Sequence, residues 1–237
     1  MFFSKLDYNQ FIPHIQNINL TEGDILLVDK PYHLTSFEVV NKIKIALRKT
    51  FPAKIKVGHA GTLDPLATGL LIICTGKKTK QIEQIQALEK EYTGTFFVGA
   101  TTPCFDKEKD IDFTFPTEHI TEALIMEAVQ KFMGKQMQTP PIYSAVRVEG
   151  KRAYDLAREG VEEIKVNPKE IEIKSFDITR IALPEIDFKV VCSKGTYIRS
   201  LARDFGLALD SGAYITALRR TRTGDYHVDK AIIPVVN

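Results

Sequence analysis

The sequence predicts an α+β fold: a central mixed, largely antiparallel sheet flanked by helices, with an inserted lobe over about residues 101–170. Three observations predict it. Strand-like and helix-like segments are mixed without strict β-α alternation. "IEIKSFDITRI" (171–181) and "IDFKVVCSKG" (186–195) alternate apolar and polar residues, as neighbouring half-buried antiparallel strands do. No repeat or low-complexity linker divides the 237 residues, so they read as a single continuous domain.

The elements follow in order. "DILLVDKP" (24–31) reads as a buried strand stopped by proline. In "TSFEVVNKIKIALRKT" (35–50), Thr35 and Glu38 stand at capping-box spacing, and Phe37, Val40, Ile43 and Leu47 are expected on one helical face. The loop "GHAGTLDPLATG" (58–69) runs straight into "LLIICTG", an apolar strand through Cys74. "EYTGTFFVGA" (91–100) is rich in aromatic and β-branched residues and reads as a strand. "TTPCFDKEKDIDFTFPTEH" (101–119) has no periodicity and is expected to be an exposed excursion. "TEALIMEAVQKFMG" (121–134) is a helix with a glycine stop. "QTPPIYSAVRVEGKRAYDLAREG" (138–160) offers a Pro-Pro break, a strand, a turn at Glu149-Gly150 and a short helix. "TYIRSLARDFGLAL" (196–209) is an amphipathic helix burying Ile198, Leu201, Phe205 and Leu209. The last segment, 211–232, reads as a strand or helix edge and a final turn.

Composition sets limits on function. Apolar residues make up 44% and charged residues 26%, which separates the chain from disordered sequences. No run of 18 or more apolar residues is present, so no membrane span is expected, and the N-terminus lacks the pattern of a signal peptide. Cys74, Cys104 and Cys192 are widely spaced, which points to reduced thiols and a cytoplasmic protein rather than a disulfide framework or zinc cluster. The formal charge of +2 announces no polyanionic partner, but its distribution is polarised. Lys42, Lys44, Arg48, Lys49, Lys54 and Lys56 crowd one stretch, Lys77, Lys78 and Lys80 another, and Arg219, Arg220 and Arg222 a third. Such clusters are solvated faces or an electrostatic footprint for phosphates.

Several chemistries are excluded. "CTGKKT" fails as a phosphate-binding P-loop, because Leu71 holds the first glycine position and Lys78 the Ser/Thr position. The histidines at 14, 33, 59, 119 and 227 are scattered, so no metal site is expected. No nucleophile elbow of a Ser-His-Asp hydrolase is present. No cofactor motif is present either.

Two constellations carry candidate chemistry. Asp64 precedes Pro65, which pushes it toward extended geometry, and the flanking glycines permit tight turns or close approach by a ligand. This is either a tight surface turn or a loop that holds one carboxylate for positioned chemistry. In "CSKGTYIRSLARDFG", Arg199 falls in the first helical turn. It is either a surface cation or the partner of a buried carboxylate. Tyr92 and Tyr197 are packed aromatics or stacking platforms for an unpaired base.

Together "VGHAGTLDPLATGLLIICTGKKTK", "KEYTGTFFVGATT", "QTPPIYSAVRVEGKRAYDLAREG", "VCSKGTYIRSLARDFG" and "GAYITALRRTRTGDY" resemble the bacterial TruB family of tRNA pseudouridine synthases, in the family's order and over nearly the whole chain. The resemblance implies the pseudouridine synthase fold and the conversion of uridine 55 in the TΨC loop of tRNA to pseudouridine. The base leaves ribose at nitrogen, rotates while held, and rejoins through carbon 5. It further implies that Asp64 is catalytic, acting on the sugar. Tyr92 would stack on the uracil and accept a ribose proton, and Arg199 would pair with the catalytic Asp. Asp106 would hold that Arg when RNA is absent, and His59 would enter the space vacated by the flipped nucleotide. Tyr197 and Leu218 would line the uracil pocket, while Lys30, Lys77 and the 219–222 arginines would contact phosphates.

The resemblance implies the TΨC stem-loop of tRNA as partner; the residues themselves point to no cofactor, metal or membrane, and a monomer is expected because no extended apolar face stands out. Two departures stand out. "TTPCFD" places Pro103 and Cys104 where relatives often carry polar residues, and the chain stops at Asn237, where many relatives continue into a PUA-type RNA-binding module. RNA binding through the catalytic domain and inserted lobe alone is therefore expected. The alternatives are a non-catalytic RNA-binding or tRNA-folding protein on the same scaffold, and a synthase with another RNA target.

Overall fold

The structure is a computed structural model describing residues 6–144, 147–148, 151–152 and 166–236. By its internal contacts the chain forms two compact units: Met1–Tyr92 with Leu218–Asn237, and Thr93–Ala217.

The first unit contains helices α1 (Ile12–Ile15), α2 (Ser36–Thr50) and α3 (Ile82–Ala87), and strands β1 (Ile25–Lys30), β2 (Val57–His59) and β3 (Ala67–Thr75). It also holds the first residues of β4 (Lys90–Val98) and the end of β12 (Ala213–Thr223), with β13 (Tyr226–His227). Strand β3 is central and buried at nearly every position. Along one edge it pairs antiparallel with β1, from Ile25 opposite Cys74 to Lys30 opposite Gly69. On the other edge it pairs parallel with β12 at residues 67–69, then antiparallel with β2 at 73–75. The expected mixed sheet is therefore present.

Helix α2 starts as the sequence predicts. Thr35 accepts from the Glu38 amide and the Glu38 carboxylate accepts from the Thr35 amide, completing the capping box. Of the four residues expected on its buried face, Val40, Ile43 and Leu47 are buried and Phe37 is not. Val39, Val40, Ile43, Ala46 and Leu47 pack into the core with Phe11, Ile15, Val28 and Leu71. Phe37 lies one step, about 100°, off this stripe, is 63% exposed and sits 6.0 Å from the Lys44 ammonium.

The second unit carries the remainder of β4, then β5 (Ala100–Thr101), β6 (Phe113–Thr114), α4 (Glu122–Lys131) and β7 (Gly134–Gln138). Next come the short antiparallel pair β8 (Arg147–Val148) and β9 (Lys151–Arg152), then β10 (Lys169–Ala182), β11 (Glu185–Cys192), α5 (Ile198–Ala208) and the start of β12. As expected, β10 and β11 are antiparallel neighbours, and β7 pairs with the outer edge of β10. The core is aromatic: Phe96 stacks on Phe188 at 4.1 Å, and Phe176, Phe205 and Phe132 surround them. Helix α5 buries Ile198, Leu201, Phe205 and Leu209, the four residues assigned from its pattern. Within the last segment, Ala213–Thr223 form strand β12. The turn at Glu149-Gly150 and the short helix expected before Gly160 lie outside the described residues.

One expectation needs correction. The 101–119 segment is not uniformly exposed: Thr102, Cys104 and Asp106 are buried, because each turns a polar group onto a local partner. The Thr102 hydroxyl donates to the Asp106 carbonyl at 2.7 Å, and the Cys104 thiol donates to the same carbonyl at 3.4 Å. Pro103 between them is exposed, and continuous exposure begins at Lys107.

Replacing Thr35 with Ala removes an acceptor for an orphan helical amide, so Thr35→Ala is expected to lower unfolding free energy by about 1 kcal/mol. Urea denaturation followed by circular dichroism measures the difference.

Candidate active site

The loop carrying Asp64 is built by inward-turned backbone. Strand β2 ends at His59, and the Ala60 amide still donates to the Ile72 carbonyl at 2.8 Å. The chain rejoins the sheet where the Ala67 amide donates to the Asp64 carbonyl at 3.1 Å. Between these points several backbone polar groups are met by side chains rather than by other strands. Three side chains do this. The Ser36 hydroxyl, buried at the start of α2, accepts from the Leu63 amide at 2.8 Å and donates to the Leu63 carbonyl at 3.1 Å. The Arg220 guanidinium donates to the carbonyls of Gly61 at 3.1 Å, Thr62 at 3.5 Å and Leu70 at 2.8 Å. The Lys30 ammonium donates to Leu34 at 2.6 Å, Pro31 at 2.9 Å and Pro65 at 3.3 Å.

Lys30 is fully buried and Arg220 is 1% exposed. Both reach inward because of their strand positions. Lys30 shares a face of β1 with buried Leu26 and Val28. Arg220 lies opposite Gly69 in the parallel β3–β12 register. Gly69 has φ +99, and a Cβ there would stand 2.2 Å from the Arg220 carbonyl oxygen, so only glycine permits this approach. At Gly61 the space would admit a Cβ, 3.4 Å from Arg220 Nη1, and it is the backbone, at φ +104, that favours glycine. Desolvation pushes the Lys30 ammonium down to about 8, while the negative charge of Asp64 opposes that shift.

This geometry corrects one expectation. Lys30 and Arg220 cannot contact RNA phosphates, because their charged groups are spent on backbone carbonyls within the protein. Arg219 forms a two-pronged pair with Asp29, at 3.0 and 2.6 Å, and Arg222 lies 2.9 Å from Glu89. Lys77 stays at the surface, paired with Glu22 at 2.8 Å.

The other predicted residues of this unit have distinct settings. Asp64 is half-buried, held between the clamped Leu63 and Pro65. His59 has a buried Nδ1 without a hydrogen-bond partner, and burial pushes its imidazole below the ordinary histidine value. Tyr92, in β4, is 9% exposed. Leu218 is half-buried on β12 opposite Ala67, the first residue after the loop, and its carbonyl accepts from the Thr68 hydroxyl at 3.4 Å.

In the second unit, Arg199 and Asp106 meet. Arg199 sits in the first turn of α5, with its Nε 3.6 Å from Asp106 Oδ2 and both side chains buried. The guanidinium also donates to the carbonyls of Cys104 at 3.3 Å and Tyr143 at 2.9 Å. Asp106 Oδ1 accepts from the Glu108 amide at 2.9 Å. Tyr197 immediately precedes α5, and the Gln138 side chain holds its backbone amide at 2.8 Å and its carbonyl at 3.1 Å.

A buried clamp around one carboxylate loop fits an acid held in position rather than a freely solvated one. Comparison with known proteins decides the matter. A family model described as "TruB family pseudouridylate synthase (N terminal domain)" matches residues 48–198, and one for the "tRNA pseudouridylate synthase B C-terminal domain" matches 199–234. The chain belongs to the TruB family of pseudouridylate synthases. It is 60% identical over 213 residues to tRNA pseudouridine synthase B of Flavobacterium johnsoniae, covering 89% of this chain and 93% of that one. Its identity to the protein of the same name from Phocaeicola vulgatus is 56%, covering 91% and 92%. The fold is also similar to a chain in the crystal structure of a Cbf5-Nop10-Gar1 complex, with TM-score 0.66 and 27% identity. That likeness covers 94% of this chain but only 54% of the other, so the present chain spans about half of it. A second neighbour, from an H/ACA RNP bound to a substrate RNA containing 2'-deoxyuridine, has TM-score 0.64 at 26% identity, covering 93% of this chain and 52% of its own. This TruB family member is thus an isomerase acting on tRNA.

Sequence reasoning missed Ser36 and the holding roles of Lys30 and Arg220. The signal for Lys30 was available, since period-two counting along β1 places it with Leu26 and Val28. Ser36 offered none, because a serine beside a helix cap reads as an ordinary capping neighbour.

Folded protein releases the Lys30 proton near pH 8, whereas the unfolded chain holds it to about 10.5. Across that window the unfolded state binds more protons, so this residue's contribution to stability rises with pH. Relative to Lys30→Met, wild type is expected to gain stability between pH 8 and 10 in parallel urea titrations.

Proposed function

We propose that this TruB synthase isomerises uridine 55 in the TΨC loop of tRNA to pseudouridine, with Asp64 acting at the ribose. The observation supporting this reading is the clamped loop. Ser36, Arg220 and Lys30 hold the backbone on both sides of Asp64, so its carboxylate meets a substrate without a large ordering cost. The glycosidic C–N bond breaks and the same base forms a C–C bond through carbon 5. The proton lost at carbon 5 is balanced by one gained at nitrogen, so no cofactor is consumed.

The remaining roles follow this chemistry. Tyr92 stacks on the flipped uracil and accepts a proton from the ribose during rearrangement. His59, neutral because burial disfavours its charged form, fills the stack left by the flipped nucleotide. Tyr197 and Leu218 line the uracil pocket. Arg199 pairs with the catalytic carboxylate in the RNA-bound state, and Asp106 holds it otherwise. The chain acts as a cytoplasmic monomer, with the 101–170 lobe of a single catalytic domain also contacting the stem-loop.

An unmodified tRNA transcript incubated with the enzyme, then mapped for pseudouridine by position, tests the reading; modification at 55 alone is expected. Asp64→Asn should reduce turnover by about three orders of magnitude or more with tRNA affinity nearly unchanged. Near-wild-type turnover in that variant would remove Asp64 from the mechanism. Tyr92→Phe preserves the ring but loses the hydroxyl, and should slow turnover about 100-fold.

A further inference from the structure

The first unit contains a cavity of about 440 Å³ that borders the start of β2. Its walls come from α2 (Lys44, Leu47, Arg48), the 54–56 segment (Lys54, Ile55, Lys56), the start of β2 (Val57, Gly58), and Thr79 with Ile82. The lining contains four cations and no acid. Arg48, Lys54 and Lys56 are exposed, and Lys44 is half-buried. Among the described residues none of the four is paired with a carboxylate. This differs from the neighbouring cationic clusters, where Arg219, Arg222 and Lys77 each face an acid. Uncompensated positive charge around a concave surface raises the local concentration of anions.

The floor explains how the cavity persists. Leu47, Ile55, Val57 and Ile82 supply apolar surface, and a Cβ on Gly58 would stand 2.7 Å from Ile82 Cδ1. The main chain itself therefore forms part of the wall. Strand β2 links the cavity to the reaction loop: Val57 and Gly58 line it, His59 follows, and Asp64 lies five residues further on. At about 3.3 Å per residue of strand, the cavity and His59 are separated by one or two residue lengths.

We propose that this cavity is a phosphate-backbone site for the RNA substrate, in which Arg48, Lys54 and Lys56, with Lys44 behind them, grip the strand flanking the reacting nucleotide. The inference rests on the reading of the enzyme as a tRNA synthase, because it names where that substrate's backbone is held. The site is separate from the reaction chemistry: it contains no group able to act on ribose or base. It takes over the phosphate-binding role that buried Lys30 and Arg220 cannot perform.

The test is tRNA affinity as a function of salt for wild type, the charge-removing triple variant Arg48→Gln/Lys54→Gln/Lys56→Gln, and the charge-keeping triple variant Arg48→Lys/Lys54→Arg/Lys56→Arg. Each lost phosphate contact should flatten the slope of log K against log salt by about 0.7–0.9. The charge-removing variant should therefore show a slope shallower by about 2 and affinity weaker by about tenfold or more at low salt. The charge-keeping variant should bind like wild type. Circular dichroism melts of all three proteins check that folding is unchanged. A wild-type slope in the charge-removing variant, or equal loss in both variants, would overturn the proposal. If wild type forms no pseudouridine in the same tRNA, the functional reading itself fails; if it does and the slopes match, only the cavity assignment fails.

Discussion

The arrangement depends on one constraint: the backbone carbonyls around Asp64 point inward onto two buried cations. A desolvated ammonium or guanidinium is costly unless its protons find acceptors. Lys30 and Arg220 meet that requirement with six carbonyl contacts, at Leu34, Pro31 and Pro65, and at Leu70, Gly61 and Thr62. The dependence is mutual. The loop keeps its path because the cations need its carbonyls, and the cations tolerate burial because the loop takes that path. Gly69 allows the strand approach that brings Arg220 there, and Ser36 ties the middle of the loop to α2. Asp64 thus stands on backbone fixed from three directions.

Much of the scaffold was legible in local pattern. The capping box at Thr35, the antiparallel β10–β11 pair and the buried face of α5 all follow from spacing and periodicity. The misassigned parts have physical causes. Phe37 is the largest apolar residue near the start of α2, yet the buried stripe runs through Val39, Val40, Ile43 and Leu47; size drew it into a face that geometry does not give it. The 102–106 segment carries no periodicity because its burial rests on hydrogen bonds to a single carbonyl rather than on an apolar stripe. Among the site residues, motif resemblance nominated Asp64 and its companions, but it cannot report which way a cation points. Lys30 and Arg220 read as surface charge because sequence shows the charge and not its partners.

The same distinction sorts the basic residues by task. Some cations hold the fold, as Lys30 and Arg220 do, and others are neutralised by neighbours, as Arg219 is by Asp29. Those around the β2 cavity remain available to an external anion. Similar local charge density therefore serves three purposes. Cys104 shows a parallel economy of means: its buried thiol donates to the Asp106 carbonyl while its own carbonyl receives Arg199.

The central claim is that backbone restraint, not merely the presence of a carboxylate, makes the Asp64 loop reactive. Amide hydrogen exchange across residues 60–67, compared between wild type and Ser36→Ala together with single-turnover rates on tRNA, tests it most directly. Faster exchange in this segment with a proportionate fall in rate and unchanged tRNA affinity is the predicted result. Faster exchange with a wild-type rate would contradict the account.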